Sequence, residues 1–252
     1  MKTLFTGQHA VHLTAVDSTN SYASEMLRQM RPSEGTIIYT FEQTQGRGQR
    51  GNTWYSEPNK NIALSLILHP SFLKISEQFL LTKMVSLAVS DLMAELLPEQ
   101  RSEVKIKWPN DIYVASRKIA GILIENTLVS QHIQSSVIGI GMNVNQTEFS
   151  VESGKPVSLK MHSGQEYDLK LIIDRLCEFI EARYLQLKAR KMEGLDHTYL
   201  QRLYQINEWK SYTSGDEEFE GRILSVSNEG KLQVELQSGD VKGFDLKEIG
   251  LR

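Results

Sequence analysis

Gln43-Thr44-Gln45-Gly46-Arg47-Gly48-Gln49-Arg50-Gly51-Asn52-Thr53-Trp54 is the stretch on which the fold turns. Gly46, Gly48 and Gly51 have the spacing of a dinucleotide-binding fingerprint and follow a strand-like run at residues 36–42. That fingerprint must open a helix, so that a pyrophosphate meets the helix N-terminus. Here the chain continues Tyr55-Ser56-Glu57-Pro58-Asn59, which reads as a loop, and no Lys-Ser/Thr pair of a P-loop follows. Both common nucleotide folds are therefore set aside. What remains is a loop whose glycines let backbone N–H groups approach a ligand. Arg47 and Arg50 add fixed positive charge with forked donors suited to phosphate or carboxylate. The stretch points to anion binding over a merely solvated hairpin.

Working outward, strand patterns dominate the first half. Residues 61–69 are nearly all apolar, as in a strand well inside a sheet. Further strands are predicted at residues 104–108, 112–114, 118–126 and 132–143. Two helices interrupt them. One begins at the capping residues Asp17-Ser18-Thr19-Asn20, with Tyr22, Met26 and Met30 at spacing four. The other covers residues 76–96, with Pro98 just past its end. Residues 145–167 are polar, weakly periodic and carry Gly154, Pro156 and Gly164, which predicts a long functional loop. Residues 168–206 are helical, with Leu169, Ile172, Ile173, Leu176, Ile180, Tyr184 and Leu187 on one stripe and Cys177 beside it as a small buried hydrophobe. Residues 208–252 hold six of the 17 glycines and three short alternating runs, 221–226, 231–236 and 241–246, which reads as a small β-barrel or meander.

Three more stretches carry polar groups with chemical potential. In Lys107-Trp108-Pro109-Asn110-Asp111, the proline breaks a ladder and sets Asn110 and Asp111 on a turn, which taken alone is an ordinary turn. In Arg117-Lys118-Ile119-Ala120-Gly121-Ile122-Leu123-Ile124-Glu125, a lysine opens an apolar strand. Regular alternation places Lys118, Ala120, Ile122 and Ile124 on one face, with Lys118 either snorkelling outward or holding an anion. Gly139 and Gly141 alternate in a strand, which leaves room for a flat ligand or for close sheet packing.

Together these stretches resemble the biotin protein ligases. The resemblance runs through Asp17-Ser18-Thr19-Asn20, then Gln43 with Gly46-Arg47-Gly48-Gln49-Arg50-Gly51 and Trp54. It continues with Lys107-Trp108-Pro109-Asn110-Asp111, Arg117-Lys118 with Ala120-Gly121-Ile122-Leu123 and Glu125, then Gly139, Gly141 and Asn143. It closes on Glu248-Ile249-Gly250-Leu251-Arg252. Any one of these motifs is weak, but five in order are specific.

The resemblance implies an α+β catalytic unit over residues 1–207, with a mixed, mostly antiparallel sheet backed by helices, and a small SH3-like β-barrel over residues 208–252. It implies joining biotin to ATP as biotinyl-5′-AMP, then transfer to a lysine of a biotin carrier protein domain of a carboxylase. By resemblance, Ser18, Thr19, Asn20 and Gln43 hold biotin, with Gly46 and the Gly139–Gly141 backbone nearby. Arg47 bridges carboxylate and phosphate, Lys118 steadies the developing charge, and Asp111 orients the acceptor amine or takes its proton. Gly48, Gln49, Arg50, Trp54, Asn110 and Asn143 line the nucleotide side. Residues 145–167 order over adenine, with Phe149 and Pro156 as apolar covers. Mg²⁺ is expected to come with ATP, without a dedicated protein cage, and the oligomer is a monomer or homodimer.

Two departures from the family pattern stand out. Gln49 occupies a position where many members of the family carry a basic residue, and Asn52 one where some carry Arg. The sixteen residues before Asp17 are too few for the operator-binding winged helix of some members. Composition agrees with a soluble enzyme: 40% hydrophobic and 23% charged residues describe a globular chain, and a net charge of −3 speaks against bulk nucleic-acid binding. The single cysteine allows no internal disulfide, no apolar run is long enough for a membrane span, and a cytoplasmic location is expected. His9 and His12 would face opposite sides of a strand, so no metal pattern emerges. The rival readings are a lipoate–protein ligase and a biotin-sensing protein without turnover.

Overall fold

The computed structural model describes residues 2–150 and 155–251, and the side chains of Arg50, Met192 and Leu251 lie outside that description. Seven strands among these residues form the main sheet: β1 (Ala10–His12), β2 (Ile37–Thr40), β3 (Ile62–Leu68), β4 (Val104–Lys107), β5 (Asp111–Val114), β6 (Arg117–Val129) and β7 (His132–Met142). Their order is β1-β2-β3-β7-β6-β5-β4, with β1 parallel to β2 and every other pair antiparallel. The apolar run read at residues 61–69 is thus an interior strand, and all seven residues of β3 are buried. Both of its faces are covered, which is why it shows no polar alternation.

Helix α1 (Thr19–Gln29) packs on one face and α2 (Phe79–Leu96) on the other. α2 is buried round most of its circumference, because α4 (Leu169–Lys188) and α5 (Met192–Arg202) cover its outer side. The stripe predicted on α4 is the packed one, and Cys177 is fully buried within it. Burial pushes the Cys177 thiol up to about 12, the mark of an inert core thiol.

The structure departs from the sequence reading in four places. On α1 the spacing-four set is not the buried stripe: Tyr22 is 38% and Met30 59% exposed. Ala23, Met26 and Leu27 face Ile38, Ile67 and Val137 instead, and Met30 is an extended cap residue beyond the helix. On β6 a bulge opposite Ile112 and Tyr113 interrupts the alternation. It returns Lys118 to the face of Gly121, while Ala120 and Ile122 point into the core. The segment at residues 145–167 contains a short helix, α3 (Leu159–Ser163), capped by the Ser158 side chain and closed by Gly164 at φ +72°. Its ends are clamped by Asn145, whose amide donates to the Tyr167 carbonyl at 2.8 Å and accepts from the Tyr167 N–H at 2.9 Å.

The fourth departure is the size of the C-terminal sheet. β8 (Trp209–Ser214), β9 (Glu217–Val226), β10 (Leu232–Leu236), β11 (Val241–Phe244) and β12 (Gly250–Leu251) pair antiparallel in the order β11-β10-β9-β8-β12. Three runs were legible, and β8 and β12 were not. Among the described residues β11 and β12 remain edges, so the barrel is open. Tyr212, Ile223, Leu232, Val234 and Phe244 of this sheet join the same continuous core as β3 and α2.

Candidate active site

Residues 43–45 run beside residues 16–17, with Thr44 N–H donating to Val16 O and Gln45 N–H to Asp17 O, both at 2.9 Å. This short parallel pairing places the N-terminus of α1 against the root of the glycine loop. Ser18 caps the helix by accepting from Ser21 N–H. Thr19 N–H, an otherwise orphaned first-turn donor, goes to Gln43 Oε1 at 2.9 Å. The glycine loop folds over the sheet as a small hairpin: Trp54 N–H donates to Gly46 O and Gly48 N–H to Asn52 O, and residues 49–51 form a 3-10 turn. Gly46 admits no side chain, since a Cβ would lie 2.2 Å from the Trp54 carbonyl.

The hairpin roofs a cavity of about 250 Å³ whose floor is β6 and β7. Ser18, Thr19, Asn20, Gln43, Arg47, Gly48, Gln49, Trp54, Asn110, Asp111, Lys118, Gly139 and Gly141 line it. Of the other residues singled out in the sequence, Gly46 lines an adjoining hollow between the hairpin and Leu123 and Glu125 of β6. Arg50 lies at the hairpin tip, its side chain outside the described residues. Asn143 is buried and ties its amide to Val157 O at 3.2 Å, away from the cavity lining. Phe149 and Pro156 also stand outside that lining, and Arg252 is outside the described residues.

The alternating glycines prove to be sockets. A Cβ at Gly139 would meet Asn20 Oδ1 at 2.4 Å, and one at Gly141 would meet the Trp54 indole at 2.4 Å. Trp54 therefore rests on Gly141 and Gly121, with Lys118 Nζ 5.5 Å from its ring centre. Its indole N–H is buried without a hydrogen-bond partner among the described residues. At about 250 Å³ the cavity is smaller than the roughly 300–1,000 Å³ of ordinary ligand sites, and the indole forms part of its wall.

The two cations of the hairpin and the floor, Arg47 and Lys118, each rest on a carboxylate. Lys118 Nζ lies 2.7 Å from Asp111 Oδ1, and Arg47 Nη2 lies 2.7 Å from Glu125 Oε1. Asn110 uses its amide on Ile122 O at 2.5 Å, which fixes the turn carrying Asp111. The Trp108–Pro109 peptide of that turn is cis, and burial together with the Asp111 charge raises the Tyr113 hydroxyl above its usual range. Leu246 and Lys247, on the connection from β11 to β12, also line the cavity. Nothing in their local sequence signals this; only the docking of the second sheet brings them there. Among the described residues no group of three or more His, Cys, Asp or Glu side chains could hold a metal, and no helix is long and apolar enough to cross a membrane.

Comparison with known proteins agrees with this geometry. The model of the Biotin/lipoate A/B protein ligase family matches residues 13–143, which contain nearly the whole cavity. The bifunctional ligase/repressor BirA of Bacillus spizizenii is 31% identical over 252 residues, covering 95% of this chain and 73% of that protein. The biotin–[acetyl-CoA-carboxylase] ligase of Paracoccus denitrificans is 28% identical, covering 87% of this chain and 91% of its own. The biotin protein ligase of Aquifex aeolicus, solved with biotin and ATP, superposes with a TM-score of 0.80 at 26% identity, over 97% of this chain and 99% of its own. With a family model matching more than half of the chain and a relative 31% identical over 95% of it, the chain belongs to the biotin/lipoate A/B protein ligase family.

Proposed function

We propose that the chain is an ATP-dependent biotin–protein ligase acting on a biotin carrier domain, and that the cavity under the glycine hairpin is its active site. The observation that carries this reading is the convergence of Thr19–Gln43, Arg47 and Lys118–Asp111 on one small cavity. Two half-reactions follow. A biotin carboxylate oxygen attacks the α-phosphorus of MgATP, and pyrophosphate leaves with the bond electrons. The amine of a carrier lysine then attacks the acyl carbon of the biotinyl-5′-AMP, loses a proton and releases AMP.

Neither step needs an enzyme nucleophile. Both need negative charge neutralised and reactants aligned. Arg47 supplies forked donors that span a carboxylate and a phosphate oxygen. Lys118 sits on the floor beside the acyl position and compensates charge in both transition states. Asp111, held by Lys118 and by the Asn110 turn, faces the same point and takes the amine proton. Thr19, Ser18, Asn20 and Gln43 give a polar end for the ureido ring, beside the Gly139–Gly141 backbone. Gln49, Gly48, Asn110 and Trp54 border the nucleotide side, with Arg50 at the hairpin tip. Asn143 acts from behind, anchoring residues 155–157 alongside Lys118. Mg²⁺ enters with the triphosphate as part of the substrate.

In this reading residues 1–207 form the catalytic unit, residues 208–252 close one side of the cavity, and the enzyme works in the cytoplasm as a monomer or homodimer. The test is exchange of labelled pyrophosphate into ATP by the purified chain. Exchange that depends on biotin is expected. Exchange that depends on lipoate and not on biotin overturns the biotin assignment in favour of a lipoate ligase, and binding of biotin without exchange overturns turnover.

A further inference from the structure

Glu125 does not line the cavity, yet it holds the cation that does. Its carboxylate takes Arg47 Nη2 at 2.7 Å and Nη1 at 3.5 Å, while Asn20 Nδ2 donates to Oε2 at 2.9 Å. Asn20 is 3% exposed, and its own Oδ1 lies 2.6 Å from Ser65 Oγ, a fully buried hydroxyl on β3. Ser65 Oγ also lies 2.8 Å from Thr19 Oγ1. An amide oxygen only accepts, so the single Ser65 proton goes to Asn20 and the Thr19 hydroxyl donates to Ser65. The donors then run one way, Thr19 to Ser65 to Asn20 to Glu125, and Arg47 closes the line from the other side. Gly139 is what leaves space for the Asn20 amide in that line.

From this chain of contacts we infer that Glu125 is a positioning residue: it orients the Arg47 guanidinium over the cavity and links it, through Asn20 and Ser65, to the Thr19 end of the site. This rests on the biotin-ligase reading and deepens it. An arginine on a glycine hairpin has many rotamers, and holding Nη1 and Nη2 on Glu125, with Ser21 Oγ 3.4 Å from Nη1, restricts the guanidinium to a pose in which its other donors can meet a ligand. Because the inner links Thr19–Ser65–Asn20 are buried and hold Asn20 in one pose beneath the more exposed Glu125–Arg47 pair, contact at Thr19 and the pose of Arg47 are set together.

The test is a double-mutant cycle of Glu125→Gln and Arg47→Ala, read as kcat/KM for biotin in pyrophosphate exchange. Gln keeps an acceptor for Asn20 and removes the charge that holds Arg47. A loss of about tenfold is expected for Glu125→Gln in the parent, and less than twofold in the Arg47→Ala background, since the two act as one unit. Thermal unfolding of Glu125→Gln is expected to match the parent. A similar loss in both backgrounds assigns Glu125 a role independent of Arg47 and overturns the inference, as does full activity of Glu125→Gln in the parent. A parent chain with no biotin-dependent exchange at all overturns the biotin-ligase reading, and this inference with it.

Discussion

At the scale of single residues, three substitutions probe the site. Lys118→Ala removes the cation beside the acyl position and leaves Asp111 without its 2.7 Å partner. Carrier biotinylation is expected to fall by about a hundredfold or more in kcat, the usual effect of removing one preorganised charge stabiliser; a normal rate would exclude Lys118 from the chemistry. Gly141→Ala places a methyl 2.4 Å from the Trp54 indole. Trp54 must leave its socket, at a cost of about 1–3 kcal/mol, and the intrinsic fluorescence of the ligand-free protein should shift accordingly. Gln49 lines the cavity at the start of the 3-10 turn, where a hydrogen bond is available but no charge. Gln49→Arg adds a charge-assisted contact to the adenylate worth about 1–2 kcal/mol, so the off-rate of biotinyl-AMP is expected to drop by roughly tenfold. An unchanged off-rate would show that position 49 does not restrain the intermediate.

At the scale of elements, the predicted strands and long helices were legible because β3, α2 and α4 carry patterns that burial alone dictates. The faces were less so. The β6 bulge reverses the side on which Lys118 stands, and no residue in Arg117–Ile119 announces it, since a bulge is a property of pairing with β5. The buried side of α1 was missed because its inward residues begin with Thr19, Asn20 and Ala23, small or polar side chains chosen by the site. The functional groups sort the same way. Arg47, Lys118 and Asp111, proposed here as functional, stand in motifs legible in the sequence, whereas Lys247 reaches the cavity, and Ser65 its supporting contacts to Thr19 and Asn20, only through tertiary packing. α3 offers a pH-dependent test of the segment it anchors. His162 Nε2 is buried without a hydrogen-bond partner among the described residues, and burial, helped by the Arg117 charge, holds the ring below the usual imidazole range. The unfolded chain therefore takes up a proton first on acidification. The stabilisation is complete above about pH 6.5, the ordinary imidazole value, and is lost progressively as pH falls from there through the depressed folded value. His162→Gln is expected to flatten that part of the stability profile, measured by urea unfolding between pH 7.5 and 5; parallel profiles for parent and variant would remove His162 as the source.

At the scale of the whole molecule, the two sheets behave as parts of one core, and a single glycine tests this. Gly230 closes the turn between β9 and β10 at φ +95°, its N–H donating to Ser227 O at 3.0 Å. Its carbonyl accepts the Trp108 indole N–H at 2.9 Å, and a Cβ there would lie 2.6 Å from the Phe79 ring at the start of α2. Trp108 leads directly into Pro109-Asn110-Asp111, so this one turn touches the helix layer and the acid side of the cavity together. Gly230→Ala combines left-handed backbone strain of about 1–3 kcal/mol with overpacking against Phe79 of similar size. Since Tyr212, Ile223, Leu232 and Phe244 share the core with β3 and α2, that loss should not stay in the second sheet. A single urea transition is expected by both circular dichroism and tryptophan fluorescence, its midpoint lowered equally by the two probes. Adenylation should fall in parallel, because displacing the residue 230 carbonyl weakens the Trp108 contact that steadies the turn carrying Asp111. Two separated transitions, with the larger one unmoved and adenylation intact, would show instead that the second sheet rides on the first without bearing on the site.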